Sequence, residues 1–212
     1  MAYAVKEIYY TIQGEGAQTG RPAVFCRFAG CNLWSGREAD RAKAICQFCD
    51  TDFIGTNGPG GGSFADPAAL ANKIAATWVS DDPRATPFVV CTGGEPLLQL
   101  DAPLIDALHG LGFKIAVETN GTIAAPDGID WLTVSPKAGA DLVQTGGDEI
   151  KLVHPQAGAD PARYTELAFE HYFLQPMDCD TADETLAATI GYCLEHPKWR
   201  LSLQTHKIIG MR

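Results

Sequence analysis

Residues 113–153 read FKIAVETNGTIAAPDGIDWLTVSPKAGADLVQTGGDEIKLV and contain three short apolar runs, at 113–117, 131–134 and 150–153. Near-continuous apolar runs of this length favour strands that are covered on both faces, as in a parallel sheet. The two gaps between the runs are short and carry Pro and Gly, so a full crossover helix has little room and no sequence signal there. The stretch therefore predicts an α/β fold with a partial (β/α) barrel, in which several helices are eroded to loops.

The rest of the chain continues this pattern. Apolar runs at 23–28, 88–91, 172–174 and 201–203 predict further strands. Helical spacing predicts helices at 67–78, after an N-cap at Asp66, at 102–111 and at 183–195. In the last helix the buried stripe is expected to comprise Leu186, Ile190, Cys193 and Leu194. The length of 212 residues fits one domain, residues 1–212, whose site is expected at the carboxyl ends of the strands.

Charge and composition exclude several classes of function. The formal net charge is -10, which disfavours non-specific binding of nucleic acid, since that binding needs clustered Lys and Arg. The first residues, MAYAVKEIYY, do not have the pattern of a signal peptide, and no apolar segment approaches ~20 residues. We therefore expect a cytoplasmic protein with no membrane or nucleic-acid partner.

The seven cysteines fall into two groups. Three of them form the pattern C-x14-C-x2-C directly after the run at 23–28, namely Cys31, Cys46 and Cys49. The other four read as core or incidental cysteines: Cys26, Cys91, Cys179 and Cys193. Three thiolates suit a cubane iron–sulfur cluster with one open iron, whereas a structural zinc site needs four ligands. The spacing alone leaves both kinds of site open.

A second motif decides between these sites. The sequence TGGEP at 92–96 follows the run at 88–91 and resembles the glycine-glycine-glutamate motif of radical S-adenosylmethionine (radical SAM) enzymes. Further motifs narrow the resemblance: QGEG (13–16), RFAGCNL (27–33), CDT (49–51), ETNG (118–121), VSPK (134–137), QPMD (175–178) and QTHK (204–207). With this set the chain resembles the 7-carboxy-7-deazaguanine synthase family over almost its whole length. Relative to the usual C-x3-C-x2-C spacing, it carries an insertion between Cys31 and Cys46.

The resemblance implies a reaction and its cofactors. The enzyme would be a radical SAM carbon–nitrogen lyase that converts 6-carboxy-5,6,7,8-tetrahydropterin to 7-carboxy-7-deazaguanine with loss of ammonia, a step toward queuosine. A 4Fe-4S cluster would reduce SAM, and the radical formed from SAM would take the hydrogen at C6 of the substrate. No side chain is therefore expected to be catalytic in the usual sense; the protein supplies position, polarity and exclusion of water.

The resemblance also implies which residues bind the cofactors. The cluster would be held by Cys31, Cys46 and Cys49. SAM would be bound by residues at the ends of successive strands and beside the cluster: Phe48, Asp50, Gly94, Glu118, Ser135, Lys137, Gln175, Pro176, Met177 and Asp178. A Mg²⁺ ion that also holds the substrate carboxylate would be ligated by Thr51. Few protein ligands, completed by substrate oxygens and water, are usual for this ion.

The remaining motif residues would bind the substrate, a flat molecule with a guanidine-like edge and a carboxylate. The planar fork of Arg27 suits the carboxylate. The other implied substrate residues are Ile12, Gln13, Gly14, Thr92, His206 and the terminal carboxylate of Arg212.

Family habit further implies a homodimer and an electron donor such as flavodoxin. Two alternatives remain in the sequence: another small radical SAM enzyme, such as a glycyl-radical activating enzyme, and a non-catalytic zinc-binding module. The QGEG motif and the eroded helices argue against the activating enzyme.

Overall fold

The computed structural model describes residues 2–211. Within that range nine strands form one sheet in the order β3-β1-β2-β4-β5-β6-β7-β8-β9. Their bounds are β1 Tyr3–Ile12, β2 Pro22–Phe28, β3 Gly62–Phe64, β4 Phe88–Gly93, β5 Lys114–Thr119, β6 Trp131–Val134, β7 Gly146–His154, β8 Ala168–Pro176 and β9 Arg200–Leu201. Neighbouring strands are parallel from β2 to β9, whereas β1 runs antiparallel to both β2 and β3.

The helices are few. They are α1 Pro67–Ala75, α2 Ala102–Gly110, α3 Ala182–Glu195 and α4 Thr205–Ile208, with short 3-10 turns at Gly16–Gln18, Glu38–Lys43, Pro96–Leu98 and Pro161–Tyr164. The connections from β5 to β6 and from β6 to β7 contain no helix, which confirms the predicted erosion of helices to loops. Among residues 2–211, no helix has the length and apolar character needed to cross a membrane.

The two faces of the parallel strands carry different cores. Val24 and Val89 belong to the large cluster that packs the sheet against α1 and α2. The alternate residues Ala23, Phe25 and Val90 form a smaller cluster on the opposite, inner face, together with Phe88 and Ala116. This alternation follows from the period of two in a strand. The inner cluster fills the lower part of the partial barrel.

The same inner face becomes polar toward the carboxyl ends of the strands. Arg27 lies two residues after Phe25 on β2, and Thr92 and Glu118 occupy the corresponding places on β4 and β5. Because residues two apart in a strand share a face, these side chains point into the upper part of the barrel. The apolar lower layer thus forms the floor of a polar site.

The predicted apolar stripe of α3 is wrong for Ile190 and Leu194, whereas Cys193 packs against the large core cluster. Ile190 is 39% exposed and Leu194 is 79% exposed, while the buried residues of this helix are Thr185 and Thr189. The hydroxyl of Thr185 donates to the backbone oxygen of Met177, directly after β8, at 2.8 Å. The hydroxyl of Thr189 donates to the backbone oxygen of His154, the last residue of β7, at 3.2 Å. The face of the helix that meets the sheet thus carries these two threonines, with Tyr192 and Cys193, which pack against the large core cluster.

Two strands were absent from the sequence-based prediction. β1 includes Lys6 and Glu7, which interrupt its apolar pattern. Both residues are buried, and each forms an ion pair, Lys6 with Asp52 and Glu7 with Arg27. β3 lies at the end of the glycine-rich stretch 55–63 and pairs with the start of β1. The end of that stretch is therefore part of the sheet.

Candidate active site

A cavity of about 610 Å³ lies at the carboxyl end of the parallel strands. Every site residue predicted from the sequence lines it, except Arg212, which lies outside the described residues. The lining includes Ile12, Gln13, Gly14, Arg27, Cys31, Cys46, Phe48, Cys49, Asp50, Thr51, Thr92, Gly94, Glu118, Ser135, Lys137, Gln175, Pro176, Met177, Asp178 and His206. Residues that are distant in sequence thus meet around one space.

The three grouped cysteines are free thiols on the wall of this cavity. A hydrogen bond from Cys46 lowers the pKa of Cys49 to about 6 and raises that of Cys46, while burial raises the pKa of Cys31. The contact between Cys46 and Cys49 thus favours loss of one proton from the pair, and the thiolate is the form that binds metal. No three His, Cys, Asp or Glu side chains between residues 2 and 211 converge closely enough to hold a single metal ion, and the zinc alternative would require four.

The insertion between Cys31 and Cys46 is held against the cluster loop by one arginine. The guanidinium of Arg41 donates to the backbone oxygens of Gln47 at 2.9 Å and Cys49 at 3.1 Å. It also lies 4.0 Å from the ring centroid of Trp34. The insertion therefore folds back on the second and third cysteines and leaves their thiols facing the cavity.

The glycine-glutamate motif packs directly on the first cysteine. The backbone N–H of Glu95 donates to the oxygen of Gly30 at 2.9 Å, and a Cβ on Gly94 would lie 2.2 Å from that oxygen and 2.7 Å from the Cβ of Cys31. Only glycine permits this approach of two backbones. Gly30 itself has a φ of 89°, which turns the chain after β2 toward the cavity.

Glu95 joins the ends of two neighbouring strands and was not predicted as a site residue. Its fully buried carboxylate accepts from Thr119 Oγ1 at 2.8 Å and from the backbone N–H groups of Asn120 at 2.8 Å and Leu97 at 3.0 Å. Burial raises its pKa. Asn120 in turn donates to Asn32 at 2.9 Å, so the network ties the cysteine loop to the end of β5.

Arg27 is already held by side chains of β1. Its Nε donates to Glu7 Oε1 at 2.9 Å and a terminal nitrogen donates to the hydroxyl of Tyr9 at 3.1 Å. Burial acts to lower the pKa of Arg27, but Tyr9 and Glu7 outweigh it and the pKa is raised. The guanidinium is therefore a fixed cation on the cavity wall.

Glu118 contacts two residues predicted to bind substrate. Its Oε1 accepts from Gln13 Nε2 at 3.0 Å, and its Oε2 accepts from Thr92 Oγ1 at 3.1 Å. The ammonium of Lys151 lies 3.6 Å from Oε1 and pairs more closely with Glu15. Sequence reasoning missed Lys151 and Glu15 as site residues, although Glu15 belongs to the QGEG motif.

Another part of the cavity wall carries several of the residues predicted to bind SAM. Lys137 Nζ donates to the backbone oxygen of Ser135 at 2.6 Å and to its hydroxyl at 2.9 Å. Burial lowers the pKa of Lys137, against the nearby thiols of Cys46 and Cys49, which raise it. Gln175 Nε2 lies 3.3 Å from Glu15 Oε1. Pro176, Met177 and Asp178 follow Gln175 at the end of β8 and face the same space.

The C-terminal segment closes one side of the cavity. The backbone N–H of Thr205 donates to the oxygen of Gly14 at 2.9 Å, and a Cβ on Gly14 would lie 2.2 Å from Nδ1 of His206. Lys207 Nζ donates to Asp50 Oδ2 at 2.8 Å and to Asp178 Oδ2 at 2.5 Å. Lys207, which belongs to the THK motif, was not predicted as a site residue, and it bridges the cysteine loop and the end of β8.

Known proteins of similar sequence have one name in common. The chain is 63% identical over 213 residues to the 7-carboxy-7-deazaguanine synthase of Bradyrhizobium diazoefficiens and 62% identical over 211 residues to that of Bordetella pertussis, and each match covers 100% of both chains. The crystal structure of QueE from Escherichia coli matches with a TM-score of 0.67 at 27% identity, over 97% of this chain and 95% of that one. No protein-family model matches the chain.

Proposed function

Since the chain belongs to the 7-carboxy-7-deazaguanine synthase family of radical SAM lyases, we propose that its cavity converts 6-carboxy-5,6,7,8-tetrahydropterin to 7-carboxy-7-deazaguanine with loss of ammonia. One observation supports this site above all: the cysteine loop, the GGEP motif and the QGEG motif line a single cavity. We take residues 1–212 as one radical SAM domain.

The residues on the cavity wall fit a 4Fe-4S cluster and SAM. Cys31, Cys46 and Cys49 offer three free thiols that face one space, which suits a cluster with one open iron. Gly94 lines the same cavity, and its lack of a side chain lets its backbone pack against the loop that carries Cys31. When bound, the cluster and SAM supply the one-electron chemistry that removes the hydrogen at C6 of the substrate. The protein holds both groups and keeps water away.

We assign the wall formed by β1, β2 and β4 to the substrate. The guanidinium of Arg27, held by Glu7, presents its remaining N–H donors to a carboxylate. Gln13 and Thr92 offer polar groups to the pterin edge beside the backbone of Ile12 and Gly14, and His206 faces the same space. Glu118 contacts both Gln13 and Thr92, so we place its carboxylate at the boundary between the pterin and the ribose of SAM.

We assign the wall formed by the ends of β6 and β8 and the cysteine loop to SAM. Ser135 and Lys137 form one edge, and the segment from Gln175 to Asp178 forms another. Phe48 and Asp50 flank the third cysteine on the same cavity. Lys137, Gln175 and Asp50 are hydrogen-bonded to neighbouring groups, and side chains held in this way fix the orientation of a bound cofactor.

Other parts of the proposal rest on the family alone. Thr51 is proposed to ligate Mg²⁺ together with the substrate carboxylate, since its side chain lines the cavity directly after Asp50. An electron donor such as flavodoxin, a homodimer and a cytoplasmic location are likewise proposed.

An anaerobic assay tests the function. Protein reconstituted with iron and sulfide is expected to be brown, and with SAM, reductant, Mg²⁺ and the tetrahydropterin it should release 7-carboxy-7-deazaguanine and ammonia while SAM is regenerated. Cys46→Ala is the control that should lose the cluster. A colourless protein that retains zinc would favour the interaction module, and a brown protein that cleaves SAM but leaves the pterin unchanged would favour another radical SAM activity.

A further inference from the structure

Lys151 is a buried cation in the middle of a strand. It lies on β7, and its side chain is 8% exposed. Three carboxylates surround its ammonium: it pairs with Glu15, lies 3.6 Å from Glu118 Oε1, and interacts with Glu149. These charges raise the pKa of Lys151 against the effect of burial, so it stays an ammonium.

The carboxylate of Glu118 is fixed from three directions. Gln13 donates to one oxygen and Thr92 to the other, while Lys151 supplies the charge that balances the carboxylate. Without Lys151, Glu118 and Glu15 on the cavity wall and the buried Glu149 near them would lose the ammonium that balances their charges. Buried carboxylates in this position repel one another, and one of them takes up a proton or turns away.

The orientation of Gln13 depends on the same contacts. Its Nε2 donates to Glu118, and its Oε1 accepts from the backbone N–H of Glu15 at 3.1 Å. These two bonds determine which end of the amide faces the cavity. A displaced Glu118 would therefore disturb Gln13 and Thr92 as well, both of which are assigned to the pterin.

We infer that Lys151 is a positioning residue for the substrate: its ammonium, anchored by Glu15, holds the Glu118 carboxylate in the place from which that carboxylate orients Gln13 and Thr92 toward the pterin. This inference rests on the proposed function. It assigns Lys151 no contact with the substrate, since the ammonium acts through Glu118.

The test compares Lys151→Met with Lys73→Met, a matched control at an exposed lysine of α1. Cluster-loaded protein with SAM and without reductant is titrated with the tetrahydropterin in a calorimeter. Lys151→Met is expected to weaken pterin binding at least tenfold and SAM binding by a smaller factor, because Glu118 is one of several residues assigned to SAM, and in turnover the KM for the pterin rises with little change in kcat. Lys73→Met should match the parent in every measurement.

A double variant separates positioning from stability. Glu15→Gln combined with Lys151→Met removes both partners of the ion pair, so it should recover much of any loss of Tm. It should not recover pterin affinity, because Glu118 still lacks its cation. Recovery of affinity together with Tm, or unfolding of both variants, would make Lys151 a stability residue and overturn the inference.

The same titration separates a failure of the proposed function from a failure of the inference about Lys151. A parent protein that does not bind the tetrahydropterin would overturn the function and, with it, the inference. A parent that binds the pterin and a folded Lys151→Met protein that binds it equally well would overturn only the role of Lys151.

Discussion

The guanidinium of Arg27 donates from Nε to Oε1 of Glu7 at 2.9 Å, across the antiparallel pair β1 and β2. The two side chains are 17% and 7% exposed. A guanidinium held in this way by one carboxylate loses little rotamer entropy when a second carboxylate binds. The Arg27 side chain is therefore a preorganised anion site. Any interpretation of substrate binding must therefore treat Glu7 and Arg27 as a pair.

The first prediction concerns Arg27→Ala. Loss of a charge-assisted contact in a closed site costs about 2–3 kcal/mol, so we expect the affinity for the tetrahydropterin to fall at least about 30-fold. SAM affinity should change much less. Calorimetric titration of each ligand into cluster-loaded protein measures both. Arg84→Ala, at an exposed arginine paired with Asp82, is the matched control. Equal losses for both ligands would mean that Arg27 supports the shared wall of the cavity.

The second prediction concerns the cysteines. Cys31→Ala, Cys46→Ala and Cys49→Ala should each lower the iron content per chain after anaerobic reconstitution, because each removes a thiol from the cavity wall. Cys179→Ala, at an exposed cysteine, should load like the parent. Iron analysis and the visible absorbance spectrum measure the loading. Full iron in the Cys46→Ala protein would contradict the ligand assignment.

The sheet could be predicted from the sequence because its central strands are apolar on both faces. The apolar runs became β2 and β4 to β9 with shifted ends, and the partial barrel and the family resemblance are confirmed. β1 was missed because Lys6 and Glu7 read as solvated residues, and only their partners on other segments explain their burial. The stripe of α3 failed at Ile190 and Leu194 because the helix buries the face that carries Thr185 and Thr189, whose hydroxyls find backbone acceptors and which carry no apolar signal in the sequence.

The site could be predicted where a motif ends a strand. The motif residues at the ends of β2, β4, β5, β6 and β8 line one cavity because the carboxyl ends of parallel strands meet at one edge of the sheet. The QGEG motif follows the antiparallel β1, and it reaches the same cavity through contacts with Glu118 and the C-terminal segment. Lys151 could not be predicted, since a lysine inside an apolar run carries no signal until its carboxylate partners are known. Lys207 differs from Lys151 in this respect: it belongs to the QTHK motif, but its pairing with Asp50 and Asp178, which are far from it in sequence, could not be predicted. The binding roles of the lining residues stay predictions.

The third prediction concerns the contact between Gly94 and the cysteine loop. In Gly94→Ala the new Cβ would lie 2.2 Å from the oxygen of Gly30, and backbone atoms at that distance must move. We expect lower iron content and at least tenfold weaker SAM binding. Gly110→Ala is the control: its Cβ would meet no atom within 4 Å at the end of α2, so stability should be unchanged or slightly higher. Normal loading of Gly94→Ala would show that the loop is free to shift.

The fourth prediction concerns stability away from the site. Asp130 pairs with Lys114 at 2.5 Å and His109 at 2.9 Å and accepts from the backbone N–H of Ile115 at 2.9 Å. Burial acts to raise the pKa of Asp130, but Lys114 and these hydrogen bonds lower it overall. A carboxyl with a lowered folded-state pKa stabilises the protein above its unfolded pKa, and this contribution is lost as the pH falls through the folded value.

Asp130→Asn should therefore lower the free energy of unfolding by about 1 kcal/mol at pH 7, and the difference from the parent should shrink below about pH 4. Urea unfolding at several pH values measures both effects. The parent and the variant should bind SAM alike, because Asp130 does not line the site cavity. A difference that persists unchanged at acid pH would mean that the carboxylate charge is not what stabilises this corner.

The last prediction concerns Thr51 and Mg²⁺. The side chain of Thr51 lines the cavity, and its hydroxyl lies 3.4 Å from Oδ1 of Asp50, a long contact that a metal would easily replace. A Mg²⁺ ion there would neutralise the substrate carboxylate and fix the position of C6. A shift of ~1 Å in that position is enough to cost on the order of a hundredfold in rate. We therefore expect Thr51→Ser, which keeps the oxygen, to retain most of the parent activity and its response to Mg²⁺.

Thr51→Ala, which removes the hydroxyl, should turn over at least tenfold more slowly with saturating Mg²⁺, and its response to the ion should weaken. Cleavage of SAM by the reduced cluster should persist in this variant, because the thiols and the SAM wall are unchanged. The assay follows product release across Mg²⁺ concentrations after treatment with a chelator, with iron content checked for all three proteins. If Thr51→Ala matched the parent in rate and in Mg²⁺ response, Thr51 would be a turn residue, and Mg²⁺ would bind elsewhere or take no part in the reaction.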